Sequence, residues 1–292
     1  MKKMALTLTA MFTILSLVSC QENHFKEDKV FAGGLYVKKD VLNRGKQIYT
    51  EYCMPCHGVD GDGKGVAAKA MKVPPRDFTK GVFKFGEVEA GTLPHDKHFY
   101  KILEKGLHGT AMLPWDLTED QMFEVVQYIK TFAPSVWEGK DKELGKQVTL
   151  GKNPYGVAHV KSAIEEGKKV YHADAMCWSC HRAYVPKDEL AKLTGMSASD
   201  FSDSDYQSKL QETEWGFKSL PPDFTWNTIR SADTVEEIAL RLAAGVGGTA
   251  MAAWKGTLTD DQIWAVAHYV EYLKNLKDTE ARKELLDRIK NQ

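Results

Sequence analysis

Two short runs of this sequence carry residues that could do chemistry: Cys53-Met54-Pro55-Cys56-His57 and Cys177-Trp178-Ser179-Cys180-His181. Each is a C-x-x-C-H run, the spacing of a covalent haem attachment site. Two thiols on one helical turn meet the two vinyl groups of a haem and form thioethers, and the next residue turns its imidazole to the iron. Other uses of paired cysteines fit less well. A zinc ribbon would bring two C-x-x-C pairs within about 15–20 residues of each other, and these pairs lie more than a hundred residues apart. A thioredoxin-like redox pair would sit near a β-α-β pattern, and none is visible.

Such a run needs a helix to deliver it and a scaffold to close over the haem. Residues 40–52 supply the first, with Val41, Leu42, Ile48 and Tyr49 on its apolar side. After His57 comes a loop with Gly58, Gly61, Gly63 and Gly65. Beside a haem motif these glycines are expected to let backbone approach the porphyrin; phosphate binding would need a strand-to-helix setting. Pro74-Pro75-Arg76-Asp77-Phe78 reads as extended, because each proline disfavours helix in the residue before it. A short helix over 96–106 precedes a loop, Gly109-Thr110-Ala111-Met112-Leu113-Pro114-Trp115. Thr118 and Gln121 then form a capping box, and Met122, Val125, Val126 and Ile129 share one face of the helix it opens.

The same landmarks recur in the same order. Gly45-Lys46-Gln47-Ile48-Tyr49 is matched by Gly167-Lys168-Lys169-Val170-Tyr171. Pro74 to Phe78 is matched by Pro221-Pro222-Asp223-Phe224, and Gly109 to Met112 by Gly248-Thr249-Ala250-Met251. Leu117 to Gln121 is matched by Leu258-Thr259-Asp260-Asp261-Gln262, and Tyr128 by Tyr269. This order indicates an internal duplication. The copies differ in one loop: His57 to Phe78 spans 21 positions and His181 to Phe224 spans 43. The second copy therefore carries an insertion, about 185–218, polar and rich in Ser and Asp. Residues 133–159, dense in Gly and Pro, read as a linker, and 276–292 as a charged helical tail on the surface.

A C-x-x-C-H helix, a middle segment, a Met loop and a capped closing helix together resemble the class I cytochrome c domain. The resemblance covers residues 40–132 and 160–275. It implies an all-α fold of two tandem domains, each around one covalently bound haem c, so two haems in all. It implies that Cys53 and Cys56 hold the first haem and Cys177 and Cys180 the second. It implies His57 with Met112, and His181 with Met251, as the axial iron ligands. It also implies that the first and last helices of each domain cross near Gly45 and Tyr128, and near Gly167 and Tyr269, where glycine permits close approach. A thioether ligand favours ferrous iron, so His/Met ligation raises the potential. Met54 and Met176 lie in or beside the haem runs and cannot easily reach the distal side.

The other candidates are weaker. His108 lies four residues before Met112, but Gly247 holds the matching position before Met251. It reads as a surface residue rather than a neighbour of a haem propionate. His172 reads as helix surface, and His95, His98, His159 and His268 join no constellation. Trp115 and Trp254 each follow a Met loop; haem-face packing and plain core burial are both open to them.

The fifth cysteine, Cys20, ends a basic start and a short apolar run closing Leu17-Val18-Ser19-Cys20. Residues 1–19 read as a signal peptide, and the ending resembles a bacterial lipobox. That resemblance implies lipidation of Cys20, and several acyl chains would anchor stably where one would not. Residues 20–39 read as the lipidated N-terminus and a tether, spanning roughly 25 Å if flexible. Docking of Phe25, Phe31 and Tyr36 on the first domain is the open alternative.

The chain has 292 residues and a formal net charge of −1, and loses Lys2 and Lys3 if the leader is cleaved, which leaves −3. Without a basic excess, nucleic-acid binding is not favoured. The expected function is a membrane-anchored di-haem cytochrome that carries single electrons between respiratory partners, free or within a larger complex. A quinol-oxidising complex or a terminal oxidase would be such a partner. The expected place is the cell envelope outside the cytoplasm, on the periplasmic side of the inner or outer membrane. The alternative is a di-haem enzyme, a peroxidase or a thiosulfate-oxidising cytochrome, which needs a haem with an exchangeable position. A haem-based sensor ranks last, since no signalling domain accompanies the repeats.

Overall fold

The structure is a computed structural model and describes residues 23–291; the expected signal peptide and Cys20 lie outside the described residues. The regular structure of the described chain is almost wholly helical, with one small hairpin, β1 (Lys29–Phe31) and β2 (Leu35–Val37), ahead of the helices. In the first domain α1 (Lys39–Ile48) runs through a π turn into α2 (Met54–His57), which carries the haem run. Then follow α3 (Asp96–Lys105), α4 (Glu119–Lys130) and a single turn, α5 (Pro134–Trp137). The second domain has α6 (Val160–Lys169), α7 (Lys187–Thr194), α8 (Val235–Ala244), α9 (Asp260–Asn275) and α10 (Glu280–Lys290).

Each domain is built on one helix crossing, α1 against α4 and α6 against α9. Glycine sets both. A Cβ on Gly45 would lie 2.7 Å from the Glu124 carbonyl carbon, closer still to its oxygen, and 2.9 Å from Tyr128 Cβ. A Cβ on Gly167 would lie 2.5 Å from the Ala265 carbonyl carbon and 2.8 Å from Tyr269 Cβ. The closing helices start on the expected capping boxes. Gln121 N–H donates to Thr118 Oγ1 at 3.3 Å, and Gln262 N–H to Thr259 Oγ1 at 3.2 Å. The apolar face of α4 (Met122, Val125, Val126 and Ile129) is buried in the first core.

Four stretches read as connections, loop or surface are built into the domains. In the supposed tether, Phe31 and Val37 are buried, and Phe25 packs edge-on to Tyr128 at 6.0 Å; of the aromatics Phe25, Phe31 and Tyr36, only Tyr36 is exposed. In the supposed linker, Trp137 is fully buried, and Phe31 pairs with Glu138 in an isolated bridge. Farther along, the linker pairs Leu144 with Leu93 and Gln147 with Val88, then docks on α9 where Trp264 Nε1–H donates to Gly151 O at 3.0 Å. Glycine and proline here shape a strap that follows the surface, and its few large apolar residues fasten it. The insertion buries Val185, Leu190, Phe201 and Tyr206. Two of its Ser–Asp pairs cap turns: Ser197 N–H donates to Asp200 at 3.0 Å and Ser202 N–H to Asp205 at 2.9 Å. The tail helix α10 is not merely solvated, since Leu285 and Ile289 join the second core. Among the described residues, no helix is long and apolar enough to cross a membrane.

Candidate haem sites

The two C-x-x-C-H runs are held by equivalent bonds. His57 Nδ1–H donates to Arg76 O at 3.0 Å, and His181 Nδ1–H to Pro222 O at 3.2 Å. A carbonyl can only accept, so each imidazole carries its proton on Nδ1 and keeps the Nε2 lone pair for a metal. Each ring stacks on the phenylalanine of its extended segment: His57 on Phe78 with centroids 4.5 Å apart, His181 on Phe224 at 4.7 Å. Burial pushes His181 down to about 4, so it stays neutral at physiological pH. The Pro-Pro-(Arg)-Asp-Phe landmark thus acquires a role that its sequence does not announce. It supplies the carbonyl and the ring that fix the histidine.

The first thiol of each run lacks the electrostatics of a redox dithiol. Such a pair needs a depressed pKa on its attacking cysteine. Burial instead pushes Cys53 and Cys177 up to about 12. The four are free of disulfides, and no three His, Cys, Asp or Glu side chains converge as a metal site among the described residues. A pair of free thiols, next to a histidine with an open Nε2, fits thioether attachment of a haem.

The Met loops are equivalent in their bonding. Gly106 and Gly245 end the preceding helices with φ of 67° and 71°, a conformation open to glycine. Their missing Cβ atoms leave room for the returning chain, 2.6 Å from Met112 O and 2.7 Å from Met251 O. Leu107 N–H donates to Met112 O at 2.8 Å and Val246 N–H to Met251 O at 3.0 Å. Met112 N–H and Met251 N–H donate to Thr110 and Thr249 hydroxyls at 3.1 and 3.2 Å. Trp115 and Trp254 then tie back to α3 and α8 through Leu103 O and Leu242 O, at 2.8 and 3.1 Å. Both Met and both Trp side chains are partly buried against their cores. The glycine six residues before each Met is a repeated signal in the sequence, and only the helix end it forms reveals its role.

The glycine loop is anchored beside the first run. It packs on the haem run's own backbone: Gly65 N–H donates to Cys56 O at 3.1 Å and Gly63 N–H to His57 O at 2.9 Å. In the second domain the insertion does the same work, with Lys209 N–H donating to Cys180 O at 2.9 Å. The second run also arrives differently. Two extra residues separate Gly167 from Cys177, and Met176 absorbs them in a left-handed conformation, φ 43°. Met176 stays exposed beside the run.

His172 corrects the sequence reading. It is fully buried, not on a helix surface. Its Nδ1–H donates to Lys168 O at 2.7 Å and its Nε2 accepts from Tyr184 N–H at 3.2 Å. Both nitrogens are used within the core, and burial pushes its pKa down to about 4. The π turn around residue 172 rotates it inward, which a 3.6-residue period does not anticipate. His108 is exposed and lies 2.9 Å from Asp233 of the second domain.

Comparison with known families decides the assignment. Residues 42–133 match the family model for cytochrome c, and residues 162–270 match that for cytochrome c oxidase, cbb3-type, subunit III. The chain belongs to the c-type cytochromes. Among solved structures, this cytochrome is similar to a chain of the reducing HAO-like protein complex of Kuenenia stuttgartiensis. The two share 32% identity with a TM-score of 0.64, over 79% of this chain and 95% of that one. No curated protein matches it. Two cytochrome c domains imply haem c and electron transfer, and the Cys53/Cys56 and Cys177/Cys180 pairs fit two haems.

Proposed function

We propose that this cytochrome is a di-haem carrier of single electrons, anchored at the outer face of a membrane and working with, or as a subunit of, a larger redox complex. The observation that carries the reading is that both domains hold an equivalent histidine and an equivalent methionine by equivalent bonds. His57 and His181 each keep Nε2 open, and Met112 and Met251 each stand on a loop braced in the same way. When bound, a haem supplies a one-electron iron couple. Met112 and Met251 would hold the irons together with His57 and His181, and neither iron would then keep a position for peroxide or another substrate. This weighs against the peroxidase and thiosulfate-oxidising alternatives. The similarity to a chain of an HAO-like complex supports a place in a multi-subunit assembly. The partner would be a redox protein; a quinol-oxidising complex and a terminal oxidase are the two classes proposed.

Pyridine haemochrome analysis is expected to give two haems c per chain, and the oxidised protein is expected to be low-spin. One haem per chain, or a high-spin fraction that binds peroxide, overturns the carrier reading.

The anchor proposal rests on the leader-like residues 1–19 and the lipobox-like ending at Cys20. Cys20→Ala should move the haem-loaded protein from the membrane to the soluble fraction. If the variant remains membrane-bound after a high-salt wash, the anchor lies elsewhere.

A further inference from the structure

The boundary between the domains holds cations of two kinds. Lys101 and Lys105 are paired with Glu237 at 3.1 and 2.9 Å, and His108 with Asp233. Arg76, Lys84 and Arg230 are different. All three are partly buried, and none has a carboxylate at ion-pair distance among the described residues. Asp77, beside Arg76, is turned to Thr79, accepting from its N–H at 2.9 Å and its hydroxyl at 2.6 Å. The three cations are close enough that Arg76 and Arg230 both repel the Lys84 ammonium.

Trp215 sits in their midst. It stands near the tip of the insertion, on a segment tied to the second Met loop where Glu214 N–H donates to Gly248 O at 3.0 Å. Its ring carries the Arg76 guanidinium at 3.6 Å and the Lys84 ammonium at 5.4 Å. Lys84 O in turn accepts from Gly247 N–H at 3.0 Å. Yet Trp215 Nε1–H is buried with no acceptor. A buried donor without a partner and three partly buried cations without a counter-ion ask for the same thing, an anionic acceptor.

The position says which anion. Arg76 O holds His57, and Gly248 lies three residues before Met251. The cluster therefore adjoins the segment that holds His57 and the loop that carries Met251, and the anions that a haem brings are its propionate carboxylates. We propose that a haem propionate lies on this boundary, accepting from Trp215 Nε1–H and facing Arg76, Lys84 and Arg230. One haem site is then completed by residues of both domains. Two of the four residues have no counterpart in the other repeat: Arg76 is replaced by Pro222, and Trp215 belongs to the insertion. The inference rests on the two-haem reading. It gives the insertion a role, since its tryptophan delivers the donor and clamps Arg76 over the boundary.

The test uses the full-length holoprotein and the variants Lys84→Gln, Arg230→Gln and Trp215→Phe. Lys84→Arg serves as the charge-conserving control. Haemochrome stoichiometry on each sample shows whether both haems are present, independently of their potentials. Spectroelectrochemical titration should show one haem moving. At fixed potential its reduced-to-oxidised ratio should fall roughly ten-fold in each Gln variant, about 59 mV for a one-electron couple, because a neighbouring cation disfavours the ferric state. Lys84→Arg should restore it. Which of the two potentials moves tells which haem owns the carboxylate. Reduced-minus-oxidised infrared spectra should show a carboxylate band shifted in all three test variants, including Trp215→Phe, which keeps an aromatic ring and removes the donor. Unchanged carboxylate bands, or an equal fall of both potentials, overturn the proposal.

Discussion

Met112→His lowers the potential of one haem and leaves that of the other nearly unchanged. The soft thioether of methionine favours ferrous iron, and a second imidazole favours ferric iron, so the direction follows from ligand chemistry. Axial ligands command a window of about 0.8 V, and this exchange is expected to move one potential by on the order of 0.1 V or more. The separation of the two responses comes from the fold. Met112 stands on a loop braced to α3 through Leu107 and Trp115, and Met251 on a separate loop braced to α8. Met251→His should therefore move the other potential. A redox titration of each variant checks both. Equal movement of the two haems in either variant would show that Met112 and Met251 do not serve separate sites.

Gly45→Ala and Gly167→Ala are expected to cost about 3 kcal/mol or more each, at the upper end of what overpacking does. At both positions the added methyl meets backbone. It would press on the Glu124 carbonyl in the first domain and on the Ala265 carbonyl in the second. A side chain in the way could rotate, but a carbonyl inside a helix moves only if the helices part. Separation of α1 from α4, or α6 from α9, would also displace Tyr49 and Tyr171. Their hydroxyls donate to Gly58 O at 2.7 Å and Arg182 O at 2.9 Å, just after each C-x-x-C-H run. Loss of haem incorporation should accompany loss of stability. Gly156→Ala is the control, with extended backbone and nothing within 4 Å of an added Cβ; surface changes of that kind stay within about 0.5 kcal/mol. Thermal unfolding of the three variants would reveal the contrast. Equal midpoints for Gly167→Ala and Gly156→Ala would contradict a crossing held by close backbone contact.

Some of this is legible residue by residue. The thiol spacing, the following histidine, the Thr118 and Thr259 caps and the crossing glycines are local signals. Each acts within a turn or through the absence of one side chain. Duplication strengthens them, because Gly167 or Thr259 repeats a position whose role is already suspected. Where a signal is local but its partner is not, reading fails. His172 looks like a surface residue on a 3.6-residue period, and a π turn carries it into the core. Ser197, Ser202, Asp200 and Asp205 look like a polar loop, and they are the caps of turns on a buried base. Phe31 and Trp137 lie in stretches rich in glycine, and only their distant partners make them core.

The two C-x-x-C-H runs, and with them the all-α cytochrome domain used twice, were determined by the sequence alone. Covalent attachment and helix capping depend on neighbours a few residues away, and those neighbours are written in order. What tertiary structure decided is how the two modules meet. Arg76, Lys84, Trp215 and Arg230 come from separated segments, and Arg76 and Trp215 have no counterpart in the other repeat. Their meeting depends on the packing of whole domains, on the strap of residues 138–151 and on an insertion that folds back across the boundary. Such contacts join residues more than a hundred positions apart, and no local period or spacing encodes them.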